Sequence, residues 1–160
     1  MTDTRWLSPA EARAWRALQN LRTPLHAVLN RQLLRDSSLS MADYDVLVVL
    51  SENEAGTLRA GELGRIIGWE KSRLSHHLKR MEQRKLVQRL DCLTDGRGLL
   101  VSITEQGRAA IAEAAPGHVL AVRENVIDLL TPDQLAALAE IGEAVGAQLS
   151  AECGAATADD

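Results

Sequence analysis

The chain contains no phenylalanine, one tyrosine and three tryptophans in 160 residues, so aromatics make up 2% of it. Any core must therefore come from Leu, Val, Ile and Ala, and the many Leu and Ala residues favour helices. Cysteine is scarce as well. Cys92 and Cys153 have no Cys-x-x-Cys spacing, which fits reduced thiols in a cytoplasmic protein. No apolar run approaches a membrane span. The N-terminus lacks the charged-then-apolar pattern of a signal segment, so a soluble protein with no membrane partner is expected. No side chains are spaced as a nucleophile with its base, so no enzyme is expected, and nothing implies a cofactor. No internal repeat is visible.

What is present is 46% hydrophobic residues, enough for a core in one domain with room for an extended dimerisation part. The net charge of −4 argues by itself against nucleic acid, but its distribution argues the other way. Between Arg59 and Arg97 ten cations face five anions, a local +5 that leaves −9 for the remainder. A basic segment inside an acidic chain is a local electrostatic footprint.

That segment holds the stretch around which the chain is organised, Trp69 to Thr104. At about 100° per residue, Leu74, Leu78 and Met81 share one side of a helix. Ser72, His76, Lys79 and Gln83 share the other, flanked by Arg73, Ser75 and Arg80. Such a helix can pack on a core and still present Arg, Lys, Ser and His to base edges and phosphates. Before it, Gly61 to Gly68 forms a short helical pattern with Leu63, Ile66 and Ile67 as its apolar side and Gly68 suited to a left-handed end. Short helix, glycine-bearing turn and longer basic helix make a helix-turn-helix. After it, Leu86–Cys92 and Leu99–Ile103 read as strands joined by a turn rich in glycine and aspartate.

From Leu63 through Gly107 the chain resembles the winged helix-turn-helix of the MarR family of bacterial transcription regulators. The strongest match is Asp95-Gly96-Arg97 followed by Ile103-Thr104-Glu105-Gln106-Gly107. It fits the family's wing pattern of Asp-x-Arg, a strand, then Leu/Ile-Thr-x-x-Gly. Arg80-Met81-Glu82 and Leu86-Val87-Gln88-Arg89 fit the end of the recognition helix and the next strand. Two positions depart from the pattern. Lys85 stands where glycine is usual, so the helix must either place a lysine in a left-handed conformation or end differently. Gly64 stands where alanine is usual, at a cost of roughly 0.5–1 kcal/mol inside a helix.

The flanks read as helices. Ser8-Pro9-Ala10-Glu11 is a capping box opening a helix to about Arg35, with Trp15, Leu18, Leu25, Val28 and Leu29 as its stripe. Pro24 should kink or split it. Ser40-Met41-Ala42-Asp43 caps a mostly buried helix ending near Asn53, and Thr57–Arg59 suits a short strand beside the wing. Thr104 caps a helix to about Leu130, with a bend expected at Pro116-Gly117. Thr131-Pro132-Asp133-Gln134 is a further capping box, opening a last helix striped by Leu135, Leu138, Ile141, Val145 and Leu149. The first and last helices are too apolar to stay uncovered. A two-fold homodimer with interlocked terminal helices is the economical solution, and the resemblance agrees. It would set two recognition helices about one DNA turn apart, matching a pseudo-palindromic site.

Other constellations weigh less. His26, His76, His77 and His118 with Cys92 lack metal-ligand spacing, and adjacent histidines on a helix diverge by about 100°, so no metal site is expected. Cys92 has only Arg89 near it in sequence, which favours a structural thiol over a redox sensor. Trp15 suits core or dimer interface. The resemblance adds that some MarR-like proteins use a first-helix tryptophan to bind small aromatic anions.

The expected fold is mainly α with a small β-hairpin wing. Residues 1–36 and 105–152 form dimerisation helices, 37–104 the winged helix-turn-helix lobe, and 153–160 a disordered tail. The expected function is a dimeric, sequence-specific regulator of transcription that binds double-stranded DNA, a repressor released by a small-molecule effector. Ser72, Arg73, Ser75 and His76 should reach bases or flanking phosphates. Lys71, Lys79 and Arg80 should hold phosphates. Arg97 should enter the minor groove with Asp95 orienting it, and Trp15 should stack on the effector. Two alternatives stay open: a thiol-based regulator acting through Cys92, and a protein-interaction module that has lost DNA binding.

Overall fold

The computed structural model describes residues 4–91 and 99–156. Six α-helices and three strands follow one another as α1 (Pro9–Ser37), α2 (Met41–Glu52), β1 (Thr57–Arg59), α3 (Ala60–Ile67), α4 (Lys71–Gln83), β2 (Val87–Asp91), β3 (Leu99–Ile103), α5 (Glu105–Asn125) and α6 (Pro132–Ala156). The strands form one antiparallel sheet in the order β1-β3-β2, with Leu58 and Arg89 both opposite Val101. No described helix is long and apolar enough to cross a membrane.

Side-chain caps define several helix starts. Ser8 accepts from the Glu11 amide while the Glu11 carboxylate accepts from the Ser8 amide, closing the expected box on α1. Ser40 and Asp43 do the same for α2, and Thr131 with Gln134 for α6. Each satisfies amides that the first helical turn leaves without partners, worth about 1 kcal/mol.

The core lies where α1, α2, α3, α4 and α5 converge on one face of the sheet. Leu33, Leu47, Leu50, Leu63, Leu78, Met81 and Val101 are almost fully buried there. Each such side chain contributes roughly 1.5–3 kcal/mol by leaving water. With no phenylalanine available, leucine, valine and isoleucine fill most of the cluster, with Met41, Met81, Ala114 and Ala121 completing it.

Three local outcomes differ from expectation or decide it. Neither proline splits its helix: α1 runs unbroken through Pro24 and α5 through Pro116. The two helices pack along each other, and a Cβ at Gly117 would come within 3.3 Å of Gln32 Nε2. Close packing offsets the lost hydrogen bond. The second outcome concerns the end of α5, which stops at Asn125 rather than near Leu130 and is followed by a 3₁₀ turn, Ile127–Leu129. Asn125 Nδ2 donates to the Ala121 carbonyl at 2.8 Å, and Arg123 pairs with Asp128 across the turn at 2.6 Å. Such local side-chain bonds compete with helix continuation. The third is Lys85, which adopts the left-handed conformation, φ 58°. Its amide bonds the Glu82 carbonyl and the Leu86 amide bonds the Met81 carbonyl, so α4 ends in a Schellman motif with lysine in the glycine position.

At the other end of the chain, α6 makes scarcely any contact with the rest of its own chain. Leu138, Ile141, Val145 and Leu149 stand about half exposed along it. Its backbone stays helical to Ala156, past the expected limit at residue 152. Residues 157–160 of the expected tail lie outside the described residues.

Candidate nucleic-acid interface

The expected division of α4 is present side chain by side chain. Leu74, Leu78 and Met81 are buried, while Lys71, Ser72, Arg73, Ser75, His76, Lys79 and Arg80 are all exposed. Arg73, His76, Lys79, Arg80 and Gln83 line a shallow depression along the outer face. The helix is therefore anchored along one stripe and presents four cations, two hydroxyls and an imidazole along the rest.

What holds α4 is partly apolar and partly polar. The α3–α4 turn depends on Gly68, whose φ of 68° is costly for any residue with a Cβ. Gly64, expected only to weaken α3, has a positive use. A Cβ there would lie 3.2 Å from the Trp69 carbonyl oxygen and 3.3 Å from Leu74 Cδ2, so its absence lets α4 approach closely.

The polar anchor is Asp43, buried at the start of α2. Its Oδ2 accepts from the Ser40 amide at 2.9 Å and from Arg84 Nη1 at 2.8 Å. Its Oδ1 lies 3.0 Å from His77 Nε2, an electrostatic contact rather than a well-aligned hydrogen bond. Arg84 also donates to the Ser38 carbonyl at 2.7 Å. One carboxylate thus caps α2, touches the middle of α4 and ties down its C-terminal end. Burial pushes this carboxyl up, but the His77 contact and the hydrogen bonds with Ser40 and Arg84 outweigh burial and hold it well below the usual carboxylate range. On the other side of the imidazole, Arg80 Nη2 lies 2.9 Å from His77 Nδ1. An arginine can only donate, so Nδ1 must accept and the ring proton sits on Nε2, facing Asp43.

The basic segment is accordingly less uniform than its sequence implies. Arg84 is committed to Asp43. Arg89 donates through its amide and guanidinium to the Glu82 carboxylate at 3.0 and 2.8 Å, bracing α4 against β2 and holding that carboxyl below its ordinary range. The Thr-x-x-Gly motif after β3 also has a structural meaning. Thr104 Oγ1 donates to the Lys85 carbonyl at 2.6 Å and accepts from the Gly107 amide at 2.9 Å. A Cβ at Gly107 would collide with the Leu86 carbonyl oxygen. The motif seats α5 on the turn that ends α4.

Asp95 and Arg97, the expected wing-tip contacts, and Cys92 lie outside the described residues. Trp15 is about half exposed on α1 beside Leu18 and Leu21, which are equally open. Sequence reasoning does not bring Asp43, His77 and Arg84 together, since Asp43 enters it only through a helix cap. Their separation in the chain carries no local signal. Trp69 was given no role, yet it stacks under Arg73 and meets His77 edge-on.

Comparison with known proteins agrees with this geometry. The MarR family model matches residues 37–98. AbsC, a MarR family transcriptional regulator from Streptomyces coelicolor, is 39% identical, with 91% of this chain and 98% of that one covered and a TM-score of 0.84. A second MarR family transcriptional regulator from Streptomyces coelicolor, solved in complex with DNA, is also 39% identical, with 91% of each chain covered and a TM-score of 0.85. The organic hydroperoxide resistance transcriptional regulator of Bacillus subtilis (strain 168) is 34% identical over 98 residues, a match spanning 59% of this chain and 65% of that protein. A helix-turn-helix with its Schellman turn and Thr-x-x-Gly seat in place, and two solved relatives of 39% identity matched over nine tenths or more of their length, have one assignment: the chain belongs to the MarR family of transcriptional regulators.

Proposed function

We propose that this regulator acts as a homodimer on duplex DNA carrying a pseudo-palindromic site, with α4 in the major groove. The observation that carries the reading is the exposed basic face of α4 over a fully buried apolar stripe. It is supported by the relative of 39% identity solved in complex with DNA. Ser72, Arg73, Ser75 and His76 are the proposed base or flanking-phosphate contacts, and Lys71, Lys79 and Arg80 the proposed phosphate contacts. Residues 37–104 serve as the DNA-binding lobe, and residues 1–36 and 105–152 as dimerisation helices. The half-exposed apolar stripe of α6, which finds no cover in its own chain, supports that division.

Arg97 is proposed to enter the minor groove, where negative potential is strongest over narrow A·T tracts, with Asp95 orienting its guanidinium. Duplexes selected by the wild-type chain from a random pool supply the probe. Arg97→Ala should weaken binding while fold and dimer stay intact. Asp95→Ala should do so more mildly, and the double variant should cost less than the sum because both act through one contact. Full affinity in Arg97→Ala would remove the wing from the interface.

The regulatory output is proposed to be repression relieved by a small molecule, with Trp15 as its stacking surface. The open position of Trp15 on α1 supports it. Small aromatic carboxylates titrated into the protein–DNA complex should release DNA from wild type and not from Trp15→Ala. Equal release from both would exclude Trp15 from that site.

A further inference from the structure

Two contacts of Trp69 are not accounted for by packing alone. The Arg73 guanidinium carbon lies 4.3 Å from the centre of the Trp69 ring, within range of a cation–π contact. The same indole meets the His77 ring edge-on, with centroids 5.2 Å apart at 89°. Trp69 is half-buried and packs against the core, and its amide donates to the Gly64 carbonyl at 2.9 Å, so its backbone is fixed by the turn. His77 is in turn held against Asp43. The indole thus rests on a buried ring and offers its face to one exposed cation at the start of α4.

We propose that Trp69 is a positioning residue of the DNA-binding face: its indole holds the Arg73 guanidinium in place before DNA arrives. Arginine suits this use because its planar cation stacks while its edge N–H groups stay available to an acceptor. A long side chain loses rotamer freedom when it binds, and fixing it beforehand removes part of that loss. The inference rests on the DNA-binding reading above and adds to it how one contact is prepared.

The first measurement needs no DNA. In nuclear magnetic resonance spectra of the wild-type protein, the Arg73 side-chain protons should be shifted upfield by the indole ring current. The shift should vanish in Trp69→Leu and persist in part in Trp69→Phe. Unshifted Arg73 protons in wild type would overturn the proposal. The second measurement uses a duplex selected by the wild-type chain from a random pool. Trp69→Leu should weaken binding about fivefold per protomer, and Trp69→Phe should stay within about twofold of wild type. In an Arg73→Ala background, Trp69→Leu should add nothing. An equal loss in both backgrounds would make the indole a packing residue only and overturn the proposal. Should Trp69→Leu fail to fold, Arg73→Lys decides, since it keeps the charge but loses the planar stack; affinity equal to wild type overturns the proposal. A wild type that selects no duplex defeats the DNA-binding reading and this inference with it. A wild type that binds, with Trp69→Leu binding equally well, defeats the inference alone.

Discussion

At the scale of single residues, Asp43 carries the largest electrostatic burden among the described side chains. Its folded carboxyl is held below the ordinary range, while in the unfolded chain it returns to about 3.9. The stability it contributes is therefore complete above that unfolded value and is lost as pH falls through it toward the folded value. Asp43→Asn should lower stability at neutral pH by about 3 kcal/mol, because His77 and Arg84 lose their charged partner. The gap between variant and wild type should narrow as pH falls below about 4. Thermal melts from neutral to acid pH check this, and a gap independent of pH would contradict the assignment. Asp45 is the opposite case. Burial raises its carboxyl despite the opposing influence of His26, His118, Arg73 and His77. Above the raised value the folded protein holds a penalised charge, so Asp45→Asn should stabilise at neutral pH. Lys85 is a third residue under tension, holding φ 58° without being glycine. Lys85→Gly should raise stability by about 1 kcal/mol, and an unchanged denaturation midpoint would show that the strain is negligible.

At the scale of the element, α4 and the segment from its end into β2 divide their charges by task. Arg84 and Arg89 are held by carboxylates, whereas Lys71 and Lys79 stand on the outer face and Arg80 reaches it from beside His77. If those last three meet phosphates, affinity should fall steeply with salt, and replacing any one by Ala should flatten the slope by about one unit. Arg89→Ala should leave the slope unchanged and lower stability instead, since its contacts brace α4 against β2. A slope that responds to Arg89 and ignores Lys71, Lys79 and Arg80 would reverse the assignment.

At the scale of the whole molecule, the proposed dimer rests on the exposed apolar residues of α6 and of the N-terminal half of α1, Trp15, Leu18 and Leu21. A helix with Leu138, Ile141, Val145 and Leu149 half in water has a strong tendency to bury them. Sedimentation should show a dimer at micromolar concentration. Ile141→Asp, which places a charge in that stripe, should shift the protein toward monomer or aggregate and weaken DNA binding, because two linked half-sites become one. Removal of the residues after Thr131 should yield aggregate or unfolded chain. A folded monomer from that truncation would contradict the architecture.

The sequence by itself determined whatever is decided within a few turns of chain. The caps at Ser8, Ser40, Thr104 and Thr131 follow from side chains that bond their own neighbouring backbone. The faces of α4 follow from spacing, and the sheet strands from short apolar runs between turns. The family pattern came with them, because Asp-x-Arg and Thr-x-x-Gly are local. Tertiary structure decided what depends on partners distant in sequence. Asp43 and His77 meet only when the start of α2 comes to the middle of α4 in the fold, and nothing beside either residue announces the other. Gly64 looked like a weak point in a helix until α4 was seen to lie against it. Pro24 permits a kink or a split, and α1, packed along α5, stays one helix through it. Propensity and capping act over neighbours and can be read along the chain. Close packing and buried charge act across space, and their outcome exists only once the chain has folded.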